Sequence, residues 1–340
     1  MRKALLIAYH FPPFAQSSGI QRTLRFAQYL PEFGWEPVVL TVKPSAYPHI
    51  NSASESLIPP DCRVIRLPCL DAARHTAWRG RYPRAFALPD RWASWAWFAR
   101  WRAARLCREE EIDVLWSTYP IATAHAIGAT MARRTGLPWI ADFRDPMVQP
   151  DYPADPRQRA AFAGVEASVA ANASGLVFTT PSALDTYRRR FADLPAERFH
   201  LLENGFDEST FAGAKSLPEN GSDGTAESRP LVILHSGIVY PYERDPAQLF
   251  KALGELKRDG RVRPGDVLFR FRAAAHEGLL RSLAADEDVE DLVEIAPSIP
   301  YPEAIAEMLS ADGLLVLQAN NCNEQIPAKL YEYLRAGKPI

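Results

Sequence analysis

The feature that most constrains this chain is a rhythm: short apolar runs alternate with longer segments of helical periodicity. Residues 4–9, 38–42, 64–67, 113–116, 139–143 and 175–179 read as strands, several of them continuous apolar runs as expected of strands buried on both faces. Helical patterns at 21–30, 90–110, 121–134, 156–172 and 183–191 fall between most of them. Parallel strands need long crossover connections, usually helices, so the first part of the chain is expected to be a doubly wound α/β domain. The pattern lapses at 207–230, "DESTFAGAKSLPENGSDGTAESRP", a Gly-, Ser-, Pro- and Glu-rich stretch that reads as a linker or surface loop. It resumes with strands at 231–236, 268–273, 293–296 and 313–317 and helices at 245–259 and 302–310. The expected organisation is therefore two Rossmann-like domains, 1–206 and 231–340, joined by 207–230. The length of 340 residues agrees, since single cores stop growing at roughly 250–300 residues.

Composition removes several classes. A hydrophobic fraction of 47% with 24% charged residues is that of a soluble globular protein, and a net charge of −2 excludes a nucleic-acid-binding polycation. Cys62, Cys69, Cys107 and Cys322 are scattered, which suits a reducing compartment and gives no zinc or disulfide framework. The opening apolar run is too short for a signal peptide, and no run of about 18 apolar residues occurs. A cytoplasmic protein is expected.

Facing α/β domains bind ligands beyond the carboxyl ends of their strands, so the loops there carry the chemistry. In "HFPPFAQSSGIQR", Gly19 opens a helix whose N-terminus, with Ser17 and Ser18, suits either a phosphate or an ordinary Ser cap. Neither a G-x-G-x-x-G nor a P-loop lysine is present, which removes support from nicotinamide and ATP readings. His125 falls one or two turns into the helix after 113–116. Asp142, Arg144 and Asp145 end a buried strand, where charges are costly unless paired or used. An internal Asp–Arg bridge is the structural alternative.

The last eighteen residues, "NEQIPAKLYEYLRAGKPI", are the most informative. Pro327 suits a helix start and Gly337 its C-terminal cap, which puts Lys329 in the first turn. A cation at the positive end of a helix dipole is misplaced unless an anion also binds there. The structural alternative is a Lys329–Glu332 pair worth a few tenths of a kcal/mol. With Glu324 in the polar loop before the helix, the set suggests a diphosphate site flanked by carboxylates that accept sugar hydroxyls.

These residues carry a resemblance. "YHFPP…SGIQR", "PWIADFRDPM", "FTTPSALDTY", "LLENGFD", "HSGIVYPYERDPAQLFKAL" and "EQIPAKLYEYLRAGKPI" make the chain similar, nearly end to end, to bacterial retaining glycosyltransferases of family 4 with the GT-B fold, in a subgroup with "DFRD". The resemblance implies transfer of a sugar from a nucleotide diphosphate sugar to a saccharide or lipid-linked hydroxyl acceptor, in cell-surface polysaccharide or glycolipid synthesis. It implies that Glu324 contacts the donor sugar and Glu332 the ribose. Arg244 is the cation nearest Gly237 and the candidate, with Lys329, for the leaving diphosphate. Gly19, Ser236 and Gly237 complete the expected donor set, and His125 and Asp142 are candidates to position or deprotonate the acceptor. Metal-independent transfer without a cofactor is expected, by same-face attack rather than a covalent intermediate. A sugar-nucleotide epimerase of the same fold and a non-catalytic nucleotide-sugar-binding protein are the alternatives.

Two further expectations concern the periphery and the end. Residues 78–108 interleave five tryptophans with eight arginines, either a core face with snorkelling arginines or a surface for a lipid headgroup layer on the inner membrane face. The last helix is followed by only the start of a fifth strand. The second domain is therefore expected to be C-terminally truncated, and the chain as given to be aggregation-prone or weakly active.

Overall fold

Arg2–Ile7, strand β1, is an interior strand of a seven-stranded parallel sheet, third from one edge. The computed structural model describes residues 1–15, 19–79, 81–214, 229–319, 322 and 324–340, the side chains of Arg84 and Ala103 excepted. The other strands are β2 (Trp35–Val42), β3 (Arg63–Leu67), β4 (Val114–Thr118), β5 (Trp139–Arg144), β6 (Gly175–Phe178) and β7 (Phe199–Leu201), in the order β3-β2-β1-β4-β5-β6-β7. Between them run α1 (Gly19–Tyr29), α2 (Ala72–His75), α3 (Ser94–Glu109), α4 (Ala122–Thr135), α5 (Pro156–Asn172) and α6 (Pro181–Arg190). Leu5 and Ile7 join one apolar cluster with Leu40, Leu115 and Phe143, whereas Ala4 and Leu6 join a second with Leu24, Val39 and Trp116. Both faces of the sheet are thus covered, which is why its strands read as unbroken apolar runs.

A second unit repeats the plan with four strands. They are β8 (Leu231–Ser236), β9 (Val267–Arg272), β10 (Val293–Ala296) and β11 (Gly313–Leu314), all parallel, in the order β10-β9-β8-β11. Its helices are α7 (Glu208–Gly213), α8 (Ala247–Arg258), α9 (Glu277–Asp286), α10 (Tyr301–Ser310) and α11 (Ala328–Ala336). Phe250, Leu253, Phe271 and Leu280 fill one side, and Leu234, Ile305, Leu314 and Tyr333 the other. The chain divides between Met1–Glu203 and Asn204–Ile340.

In each sheet the first strand of the unit has its successor on one side and a later strand on the other. The order reverses between β1 and β4, and between β8 and β11. The loops leaving the carboxyl ends of those strands diverge, and a crevice opens there.

Several elements differ from the reading of the sequence. The stretch expected as a linker contains α7, capped by the Asp207 carboxylate accepting from the Thr210 N–H at 2.9 Å; residues 215–228 lie outside the described residues. Helix α9 and strand β7 were not expected, since β7 buries only Phe199 of its three residues and shows no periodicity. The strand expected over 313–317 ends at Leu314, although the Leu315 N–H still donates to the Leu234 carbonyl at 2.8 Å.

Candidate functional site

The crevice between β8 and β11 collects most of the donor residues expected from the sequence. Strand β8 ends "LHSG", and Gly237 turns the chain away with a φ of 113°, a left-handed conformation that side chains rarely adopt. A Cβ there would also stand 3.3 Å from Lys329 Nζ, so the glycine makes room for the lysine. Lys329 is the second residue of α11, whose N-cap is Pro327, one residue earlier than a Pro in the first turn. Gly337 caps the other end at a φ of 68°, as expected.

His235, which the sequence reading did not single out, is what Lys329 leans on. Its Nδ1 lies 3.0 Å from the Leu315 carbonyl. A carbonyl only accepts, so Nδ1 carries the proton and Nε2 presents a lone pair. Lys329 Nζ donates to that Nε2 at 3.1 Å. Burial first, and then the Lys329 charge, lower the His235 pKa to about 3, so the imidazole is neutral at pH 7. The signal in the sequence was a histidine near the end of an otherwise apolar strand, directly before the glycine turn.

The site is electrostatically unfinished. Burial of the ammonium, then the Arg244 charge, lower the Lys329 pKa to about 7, while Glu332 opposes both. Arg244 is folded back on its own loop, with its guanidinium 5.2 Å above the Tyr240 ring and donating to the Ile238 carbonyl at 3.2 Å. Two cations at a helix N-terminus repel one another, and an anion placed between them would relieve both. Glu332, one turn along α11, accepts from the Tyr301 hydroxyl at 2.5 Å. The Ser236 N–H donates to the Tyr333 hydroxyl at 2.9 Å, which ties α11 to the end of β8. The loop before α11 is held by the Ala319 N–H on the Glu243 carbonyl at 2.9 Å and by Gln318 Nε2 on the Cys322 carbonyl at 2.8 Å. Glu324 stands exposed in the turn that follows; Asn320, Asn321 and Asn323 lie outside the described residues. The structure therefore brings together Ser236, Gly237, Arg244, Lys329 and Glu332.

The acceptor candidates fall in the first unit, and both are buried. His125 is fully enclosed, with Nδ1 2.7 Å from the Ser117 hydroxyl and its ring packed on Phe143. Burial lowers its pKa to about 4. It is placed as a neutral core histidine and not at a surface where an acceptor would lie. Asp142 is also fully buried, and both its oxygens are taken. Oδ2 accepts from Arg22 Nε at 2.8 Å and Thr118 Oγ1 at 2.9 Å, and Oδ1 from Arg22 Nη2 at 3.0 Å. Arg22 also donates to the Leu202 carbonyl at 3.0 Å. The internal bridge therefore exists, but with Arg22 and not Arg144. Gly19 begins α1 as expected, while Ser17 and Ser18 lie outside the described residues.

Other groups gather where β1, β4 and β5 end. Arg144 has a left-handed φ of 61° at a shift in register between β5 and β6, and its Nη1 donates to the Tyr119 carbonyl at 3.4 Å. His10 stacks on Phe14 at 4.7 Å, and burial followed by the Arg144 charge lowers its pKa to about 3. Non-glycine residues in strained backbone persist where surrounding structure enforces them, commonly at functional sites.

Comparisons with solved structures agree with the fold. The chain is similar over its whole length to sucrose-phosphate synthase from Thermosynechococcus elongatus, at 16% identity, with 80% of that chain covered and a TM-score of 0.70. It is similar to Anabaena HepE in complex with UDP-glucose at 14% identity, with 100% and 79% of the two chains covered and a TM-score of 0.65. A UDP-N-acetylglucosamine 2-epimerase from Rickettsia bellii shares the fold at 12% identity, with 92% and 73% covered and a TM-score of 0.52. No curated protein sequence matches the chain. The two parallel-sheet units are the Rossmann-like pair of the GT-B fold. Residues 18–205, more than half the chain, match the glycosyl transferase 4-like domain, and the chain belongs to that family.

Proposed function

We propose that the protein transfers a sugar from a nucleotide diphosphate sugar to a hydroxyl acceptor, with retention of configuration and without a metal. The observation that carries this reading is the Lys329 ammonium. It is desolvated at the N-terminus of α11, held by neutral His235 and given room by Gly237, at the point where the second sheet reverses order. That is a place built for the diphosphate of a donor.

As the glycosidic bond breaks, negative charge gathers on the departing diphosphate. Lys329, Arg244 and the N–H groups of α11 stabilise it without reorganising, which is electrostatic preorganisation. Glu332 and Glu324 receive hydroxyls of the ribose and the sugar. The acceptor belongs to the first unit, where His10, Tyr119 and Arg144 gather; His125 and Asp142 serve that side as scaffold, since neither reaches solvent. Attack comes from the face the diphosphate leaves. HepE in complex with UDP-glucose makes UDP-sugars the first donors to try. The acceptor is a saccharide or lipid-linked saccharide of a surface polysaccharide or glycolipid.

Thermal shift with UDP-, GDP- and ADP-sugars tests the donor. A ligand at 100 times its dissociation constant adds about 2.7 kcal/mol. Product analysis with a labelled donor then tests the reaction. A glycoside supports transfer, a free epimer supports the epimerase reading, and no shift with any donor refutes the site.

A further inference from the structure

Helix α3 divides the tryptophans of the 78–108 stretch between two environments. Trp95, Ala99, Leu106 and Cys107 face inward and belong to the core of the first unit. Trp97 and Trp101 face outward, 55% and 70% exposed. Arg105 and Arg108 continue the same stripe, and Arg100 and Arg102 flank it, all exposed. The Arg100 guanidinium lies over the Trp101 ring at 5.0 Å. Beside Trp101 a groove of about 380 Å³ runs between Leu67, Pro68, Phe98, Arg102 and Arg105. The stretch contains one acid, Asp90, which is buried and occupied by the Thr123 N–H and hydroxyl at 2.8 Å. Glu109, the next acid, is paired with Arg105 at 2.6 Å. A chain of net charge −2 thus carries a local patch of strong positive charge with two large aromatic rings standing in solvent.

We propose that this face of α3 docks on an anionic lipid bilayer. The inference goes beyond the transfer reaction and does not depend on it. Exposed indole rings seat at the depth of the lipid headgroups, because they are apolar with a single N–H that must stay hydrated. Guanidinium groups beside them pair with phosphates, and their aliphatic stems lie along the apolar layer. Charge complementarity selects the occupant. Arg100, Arg102 and Arg108, with Arg105 beside its partner Glu109, suit a surface of negative charge, and the attraction decays within a Debye length. No helix among the described residues is long and apolar enough to cross a membrane, so the contact is peripheral.

The test is flotation of the whole chain with vesicles of phosphatidylcholine alone or mixed with phosphatidylglycerol, at low salt and at about 0.5 M salt. The protein should float with the anionic vesicles at low salt and be released at high salt. Arg100→Gln, Arg102→Gln and Arg108→Gln together should weaken partition about a hundredfold. Trp97→Ser with Trp101→Ser should weaken it at low salt. Both variants should keep the wild-type melting temperature, because every altered side chain is exposed. Three results would overturn the proposal: no flotation with anionic vesicles at low salt, flotation unchanged in both variants, or a solution dimer that the Trp97/Trp101 variant dissociates.

Discussion

The Lys329 ammonium, with a pKa of about 7 in the unliganded site, makes donor binding a proton-coupled event. From that value, about 90% of unliganded sites carry the proton at about pH 6 and about 3% at about pH 8.5. A nucleotide sugar brings a diphosphate whose two charges do not titrate in this range. Beside it the lysine returns towards its ordinary pKa of about 10.4. Binding therefore takes up a proton above pH 7, about 0.9 per site near pH 8, and affinity falls about thirtyfold between about pH 6 and pH 8.5, or about 2 kcal/mol. His235 does not enter the balance, since it is already neutral throughout the range. In the unliganded protein the sign is the opposite. Between about pH 7 and 10 the unfolded chain keeps a proton that the folded chain has lost, so stability rises with pH there. The assay is calorimetric titration of the donor in buffers of different ionisation enthalpy, on the wild type and on Lys329→Arg. The arginine variant keeps its charge and should bind without proton uptake. A wild-type affinity that is flat with pH, and a heat that does not depend on the buffer, would refute the reasoning.

Gly237→Ala should strain the backbone by about 1–2 kcal/mol and push a methyl group against Lys329 Nζ. Donor affinity should fall by more than the melting temperature alone accounts for, read by titration and by thermal melts. Arg22→Ala should destabilise the first unit by about 3–5 kcal/mol, because Asp142 is left charged and buried; Arg22→Ala with Asp142→Asn should recover part of that loss in denaturant titrations. The neutral core histidine His125 predicts an acid limb. Its folded pKa of about 4 lies below the unfolded value of about 6.5, so stability drops as pH falls through that window, by about 3 kcal/mol at its end. Thermal melts across that range should show the drop, and His125→Gln should reduce it.

The local pattern of residues was enough to determine the two parallel-sheet units. An apolar run buried on both faces and an amphipathic crossover are properties of short windows, and β8, β10 and α5 begin and end where that pattern places them. The ends of α11 were also legible, because Gly337 is read from backbone stereochemistry and not from neighbours. Lys329 was legible as an anomaly, a cation at the wrong end of a helix dipole. What answers it was not. His235 is 94 residues away, and only the pairing of β8 with β11 brings its Nε2 to the lysine. Asp142 was legible as a charge needing a partner, but the nearest cation in sequence, Arg144, lies past a register shift within β5 and donates to the Tyr119 carbonyl instead. The partner comes from α1, 120 residues distant. His125 looked available because helical position says nothing about which side the sheet covers. The stretch with five tryptophans left open which rings faced the core. Packing of α3 on the first unit decided it, by burying Trp95 and leaving Trp97 and Trp101 in solvent. Periodicity is local and can be read along the chain, whereas a partner, a burial and a pKa depend on strand order, which the chain acquires only on folding.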